Sequence, residues 1–216
     1  MVSFIVMATV ALLALIVLGS SFTIIPTGYT GVRITMGQVD DVVVQNGFNW
    51  KTPFVQKIVK VNNKQQDMVV GSSISAETSE RNDVYFSNIT ITYAISPEKS
   101  SWIYANVSNY ENNLITESLV GSALKGVSKT LTPTDVTTRT ILEPLVKEAI
   151  QASIDEKYGE GVVVIYKVVV SDATFDEAYN EKIAQKQQAQ MAYETQQIEN
   201  KTNVERAEAD AKAQLA

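Results

Sequence analysis

The sequence predicts an α+β protein with three parts: an N-terminal transmembrane helix, an antiparallel-rich sheet followed by helices and a strand, and a long C-terminal coiled-coil helix. Three observations carry that expectation. Residues Val2 to Ile25 hold no charged side chain. From Tyr29 to Ile95 the chain is a series of short alternating or β-branched runs broken by turn residues. From Phe175 to Ala216 there is neither Pro nor Gly, and Ala, Gln, Glu and Lys dominate.

Residues 1–25 are expected to be the anchor. The centre, Phe4 to Leu18, has Thr9 as its one polar side chain. A helix over the whole run would reach roughly 36 Å at about 1.5 Å per residue, against a hydrocarbon core of about 30 Å. Pro26 would end it. The rival is a cleaved signal peptide ahead of a secreted binding domain. Such a peptide has a basic start, whereas Met1-Val2-Ser3 has no basic side chain. Arg33 is the cation close behind the run, which leans the following chain to the cytoplasmic side of a cell membrane crossed once.

Residues 26–96 are expected to form a β-rich unit. Tyr29 to Met36 and Val39 to Val44 read as strands split by Gly37, and Asn46-Gly47 as a turn. Val55 to Val61 and Met68 to Val70 read as strands, and Ser72 to Asp83 as a polar loop. Val84 to Ile95 is the clearest strand, with Ile89, Ile91, Tyr93 and Ile95 on one face and Thr90 and Thr92 on the other.

Residues 97–174 are expected to be helix-rich. Pro97 opens a short helix to Tyr104, and Glu111 to Leu131 reads as a longer amphipathic one. Thr134 is a candidate N-cap for a helix over Asp135 to Tyr158, ended by Gly159 and Gly161. Val162 to Val170 is a β-branched run expected to be a strand buried on both faces.

Residues 175–216 read as one helix, far above the usual length of about 11 residues. Heptads do not fit. Spacings of eleven do better: Tyr193, Val204 and Leu215 are eleven apart, and Val204, Ala207, Ala211 and Leu215 step by three and four. That repeat implies nearly straight packing. A solvated charged tail is the competing reading, against which stand the i,i+4 pairs Arg206–Asp210 and Glu208–Lys212. The pattern stops without a C-cap, as a longer chain would. The interface stripe is therefore expected at Tyr193, Val204, Ala207, Ala211 and Leu215.

Composition excludes whole classes of chemistry. The net charge is -6 over 216 residues, which disfavours nucleic acid as a partner. His and Cys are both absent. Ser-His-Asp and Cys-His nucleophiles and thiolate metal sites are then impossible. No phosphate-binding glycine loop, dinucleotide fingerprint or calcium loop occurs, so no cofactor, metal or catalytic residue is expected. A membrane-tethered Ser/Lys peptidase is the enzymatic alternative, with Ser128-Lys129 as the pair to invoke. One aromatic cluster stands out at Gly47-Phe48-Asn49-Trp50-Lys51-Thr52-Pro53-Phe54. It is either a core plug or a membrane contact through Phe48, Trp50 and Phe54, since Trp beside Lys suits the headgroup zone.

Several stretches together resemble the stomatin/prohibitin/flotillin (SPFH, band 7) family, and most its prohibitin-like members. They are Pro26-Thr27-Gly28-Tyr29-Thr30-Gly31-Val32, Gly37-Gln38-Val39 and Asn46 to Gln56, then Asp83 to Pro97, Leu131 to Arg139, and Val162 to Asp172 with the helix that follows. The resemblance implies a membrane-anchored scaffold and no enzymatic activity. It implies a large ring- or cage-like homo-oligomer, with or without a paralogue, on membrane lipid. It also implies a role in organising a membrane microdomain and in restraining a membrane-bound AAA+ protease.

Overall fold

A computed structural model describes residues 2–214, and side chains over residues 4–207. The chain begins with helix α1, Val2–Ser20. Its 19 residues give about 28 Å at about 1.5 Å per residue. The expected span to Ile25 is cut short. Ser20 and Ser21 turn their hydroxyls back onto Val17 O (3.0 and 2.6 Å), and Phe22–Ile25 leave as strand β1. Among the described residues no helix is long and apolar enough to cross a membrane.

Strand β1 pairs antiparallel with β4, Gly47–Trp50, as a two-stranded ribbon. A second sheet holds β2 (Tyr29–Thr35), β3 (Gln38–Val44) and β5 (Gln56–Asn62), ordered β3-β2-β5. Met36 (φ 51°) and Gly37 (φ 90°) make the tight β2–β3 turn, the left-handed pair that matches strand twist. Ribbon and sheet meet at Gly31. A Cβ there would lie 2.5 Å from Ile25 Cδ1 and 2.8 Å from Ile58 Cγ2, so only glycine fits.

The largest sheet is built on β8, Asp83–Ile95. One edge of β8 carries β6 (Gln66–Val70) and β7 (Ile74–Glu77) end to end, and the other carries β9, Val163–Phe175. Strand β7 lies inside the stretch read as a polar loop. Its inward Ile74 and Ala76 alternate with outward Ser75, a pattern too short to separate from loop. In β8 the inward set Ile89, Ile91, Tyr93 and Ile95 is as the alternation required. Val84 and Phe86 are also inward, one residue out of phase. Asn88, at φ 54°, absorbs the slip and donates to Asp172 Oδ2 at 2.6 Å.

The helical block is more broken than expected. A 3₁₀ turn at Pro97–Lys99 leads into α2, Ser100–Asn106. The helix expected over Glu111 to Leu131 is two, α3 (Tyr110–Asn113) and α4 (Glu117–Ser128). Thr116 restarts the chain by accepting from Leu119 N. Likewise α5 (Pro133–Thr137) is capped by Thr132, not Thr134, and α6 (Arg139–Tyr158) follows from Thr138. Helix α6 lays Leu142, Val146, Ile150 and Ile154 on the sheet. Strand β9 is not buried on both faces: Val163, Ile165, Val168 and Val170 are buried, whereas Val164 and Tyr166 are exposed. Strands β6–β8, read by sequence with the first unit, share a sheet with β9 from the second. Helix α7, Glu177–Gln214, then runs 38 residues without a break.

Candidate functional site: an apolar ribbon and an unpartnered helix

The β1–β4 ribbon puts four apolar side chains on one face. Phe22 is opposite Trp50 and Ile24 opposite Phe48, and strand alternation sends all four the same way. The other face carries Ile25, which is buried. Phe22 and Phe48 stack at 5.5 Å between ring centroids, and Phe48 meets Trp50 edge-on at 5.8 Å. The four are nonetheless 43–61% exposed. A stacked cluster this open is not a core plug. Of the three aromatics singled out in the sequence, Phe48 and Trp50 come together. Phe54 sits apart and is 91% exposed, with φ 66°. That left-handed backbone costs a bulky residue on the order of 1 kcal/mol. The turn residue Met36 lies beside it, its amide bonded to Val55 O at 3.0 Å. Sequence reading missed Phe22 and Ile24 as partners, because they looked like the end of the anchor. The signal was there in the alternation Phe22-Thr23-Ile24 ahead of Pro26.

Around α1 the apolar surface is continuous. Phe4, Ile5, Val6, Met7, Val10, Leu12, Leu13, Leu15, Ile16, Val17 and Leu18 are all exposed. Among the described residues nothing covers any face of this helix.

The second exposed surface is α7. Tyr193, Val204 and Ala207, expected on the interface stripe, are exposed, as are nearly all their neighbours on the helix. The side chains of Ala211 and Leu215, and of the pairs reaching Glu208, Asp210 and Lys212, lie outside the described residues. Met191 and Ile198 were not anticipated. They are exposed too, and at about 100° per residue they lie roughly 140° around the helix from Tyr193 and Val204. The helix therefore has two apolar stripes on roughly opposite sides.

For chemistry the described residues offer little. Ser128 Oγ is buried without a hydrogen-bond partner, so the Ser128-Lys129 pair has no base within bonding distance of the hydroxyl. No group of three acidic residues is placed to hold a metal among the described residues. A cleft of about 290 Å³ lies between the two larger sheets, lined by Tyr29, Lys60, Tyr93, Tyr110 and Glu111 among others. Burial pushes the Tyr93 phenol above its ordinary value of 10.0. Burial does the same at Tyr110, and the charge of Glu111 adds to it.

No curated protein matches the chain. Residues 23–211, from β1 into α7, match the SPFH domain / Band 7 family. That match takes in the ribbon, all three sheets and most of the long helix, and by it the chain belongs to the SPFH domain / Band 7 family.

Proposed function

We propose that the chain is a membrane-anchored scaffold, prohibitin-like in type, whose copies assemble into a large ring- or cage-like homo-oligomer enclosing a patch of bilayer. The observation that carries this is α1, with exposed apolar side chains around its circumference and no cover from the described residues. A helix of that kind is stable inside hydrocarbon or another core and not in water. Its length of about 28 Å is slightly under the hydrocarbon thickness of about 30 Å, a mismatch that bilayers take up by local thinning. The ribbon residues Phe22, Ile24, Phe48 and Trp50, with Phe54 on its strained turn, then lie at the headgroup level as a second contact.

Helix α7 supplies the assembly surface. Anchored chains all enter from one membrane face, so their long helices run parallel. A polar helix of 38 residues with no core of its own needs neighbours. Two stripes on roughly opposite sides let each helix touch one neighbour on either hand. Such a contact is heterologous and closes into a ring when the rotation allows. In this reading the ring organises a membrane microdomain and restrains a membrane-bound AAA+ protease by enclosing it.

The test replaces Ile198 and Val204, one from each stripe, by Asp. Native gels of the detergent-extracted double variant should show small species where the wild type migrates as a very large particle. Unchanged migration would move the assembly surface to the folded domains. Alkaline carbonate washing tests the anchor separately: the wild type should stay with the membrane pellet.

A further inference from the structure

Beside the point where α1 ends lies a cleft of about 400 Å³, lined by Ser21, Arg33, Trp50, Lys51, Thr52 and Gln56 among others. We infer that this cleft holds the phosphate of an anionic phospholipid headgroup. The inference rests on α1 being the membrane anchor.

The lining residues converge from distant parts of the chain. Ser21 is the first residue after α1, Arg33 stands in the middle of β2, and Lys51 follows β4. The Lys51 amide donates to Ser21 O at 2.8 Å, so the lysine backbone is fixed directly at the helix exit. Arg33 and Lys51 are both only partly exposed, and no acidic side chain lines the cleft. In a chain of net charge -6, the two charged side chains lining this cleft are both cations, which suits it to an anion. Arg33 Nε is buried and makes no hydrogen bond. A buried guanidinium donor left unpaired is costly, and phosphate oxygens suit the guanidinium fork.

The neutral groups fit the same ligand. Gln56 is held in place, its Oε1 accepting from Thr52 N at 2.8 Å. Thr52 and Lys51 also line the cleft, and their hydroxyl and ammonium are further donor groups. Trp50 bounds the cleft and continues into the stacked Phe22–Phe48 face, so apolar surface and cationic cleft adjoin as acyl chain and headgroup do. Depth agrees as well. With α1 in hydrocarbon, Ser21 emerges at the level where lipid phosphates lie, and the cleft opens there. A free phosphate in solution would need none of this apolar border.

The experiment uses the full chain reconstituted in phosphatidylcholine vesicles with a trace of spin-labelled phosphatidylglycerol or spin-labelled phosphatidylcholine. Electron spin resonance reads the motionally restricted fraction of each label. Two cations near the surface should favour the anionic lipid by up to about thirtyfold in association. The double variant Arg33→Gln with Lys51→Gln should bring that preference close to unity, and Arg33→Lys with Lys51→Arg should keep most of it. Equal restriction of the two lipids by the wild type overturns the assignment, as does a full preference retained by the double variant. Soluble glycerophosphate at matched ionic strength should leave the preference intact. If it abolishes the preference, the cleft reads free phosphate and the lipid assignment falls. Carbonate washing of the same vesicles keeps the two readings apart. Release of the wild type removes the anchor, whereas retention without lipid preference removes only the headgroup site.

Discussion

Thr30 Oγ1 and Ser100 Oγ lie 2.7 Å apart, both buried, although 70 residues separate them in the chain. Asn63 completes the contact. Its Oδ1 accepts from Thr30 at 2.7 Å, and its amide donates to Ser100 Oγ at 2.9 Å and to Ile95 O at 3.1 Å. Strand β2, the β5–β6 connection, the end of β8 and the start of α2 are tied at one point. This polar node fastens the β3-β2-β5 sheet to β8 and to the start of the helical half.

Asn63→Ala should therefore weaken the whole domain. It removes the acceptor of the Thr30 hydroxyl and the donor to Ser100 Oγ and Ile95 O, leaving the two buried hydroxyls only each other, which costs about 1–3 kcal/mol. Thermal denaturation in detergent should show a lowered midpoint. A fall confined to the β2–β3–β5 sheet in hydrogen exchange, with the rest unchanged, would mean that the node does not couple the two halves.

The outer edge of β9 is closed by side chains of α6. Gln151 Oε1 accepts from Ile165 N at 2.8 Å, and its Nε2 donates to Val163 O at 2.9 Å. Glu143 Oε1 accepts from Val170 N at 3.2 Å, and Arg139 donates to Ser171 O. These residues recur at four- and eight-residue steps, one stripe of the helix standing in for a missing strand. Open strand edges invite pairing with other chains. Gln151→Leu should cost about 1–3 kcal/mol and promote aggregation on mild heating, read by light scattering. Unchanged scattering would show that the cap does not protect the edge.

Alkaline pH should destabilise the domain through Tyr93. Burial raises this phenol above 10.0. Its neutral form is favoured in the folded state, so its contribution is whole below pH 10.0 and is lost as pH rises through the folded value. Tyr93→Phe removes the titrating proton and should flatten the fall in melting temperature above that pH. An equally steep fall in the variant would assign the alkaline loss to other groups, Tyr110 first among them.

Trp50 should lie at the bilayer surface. The chain has two tryptophans, so Trp102→Phe leaves Trp50 as the sole indole. In vesicles of brominated lipid its fluorescence should fall well below that in unbrominated vesicles. Full emission in brominated vesicles would turn the β1–β4 ribbon into a contact with protein.

Local pattern carried much of this fold. The uncharged α1, the alternation at Ile89, Ile91, Tyr93 and Ile95, and a breaker-free α7 are all short-range signals, as was the loss of His and Cys chemistry. The pairings are long-range and emerge only in the folded chain. Phe22 and Ile24 passed for anchor until β4 offered them partners, because an apolar run has no period that separates helix from strand over four residues. The sheet uniting β8 with β9 could not be read, since roughly 70 residues of helix and turn lie between the strands. Met191 and Ile198 were overlooked because one stripe was sought on a helix that has two. Arg33 and Lys51 are 18 positions apart, on a strand and a loop with nothing local to relate them. The hydrogen bond from the Lys51 amide to Ser21 O sets Lys51 at the end of α1, and the pairing of β2 with β5 brings Arg33 to the same cleft.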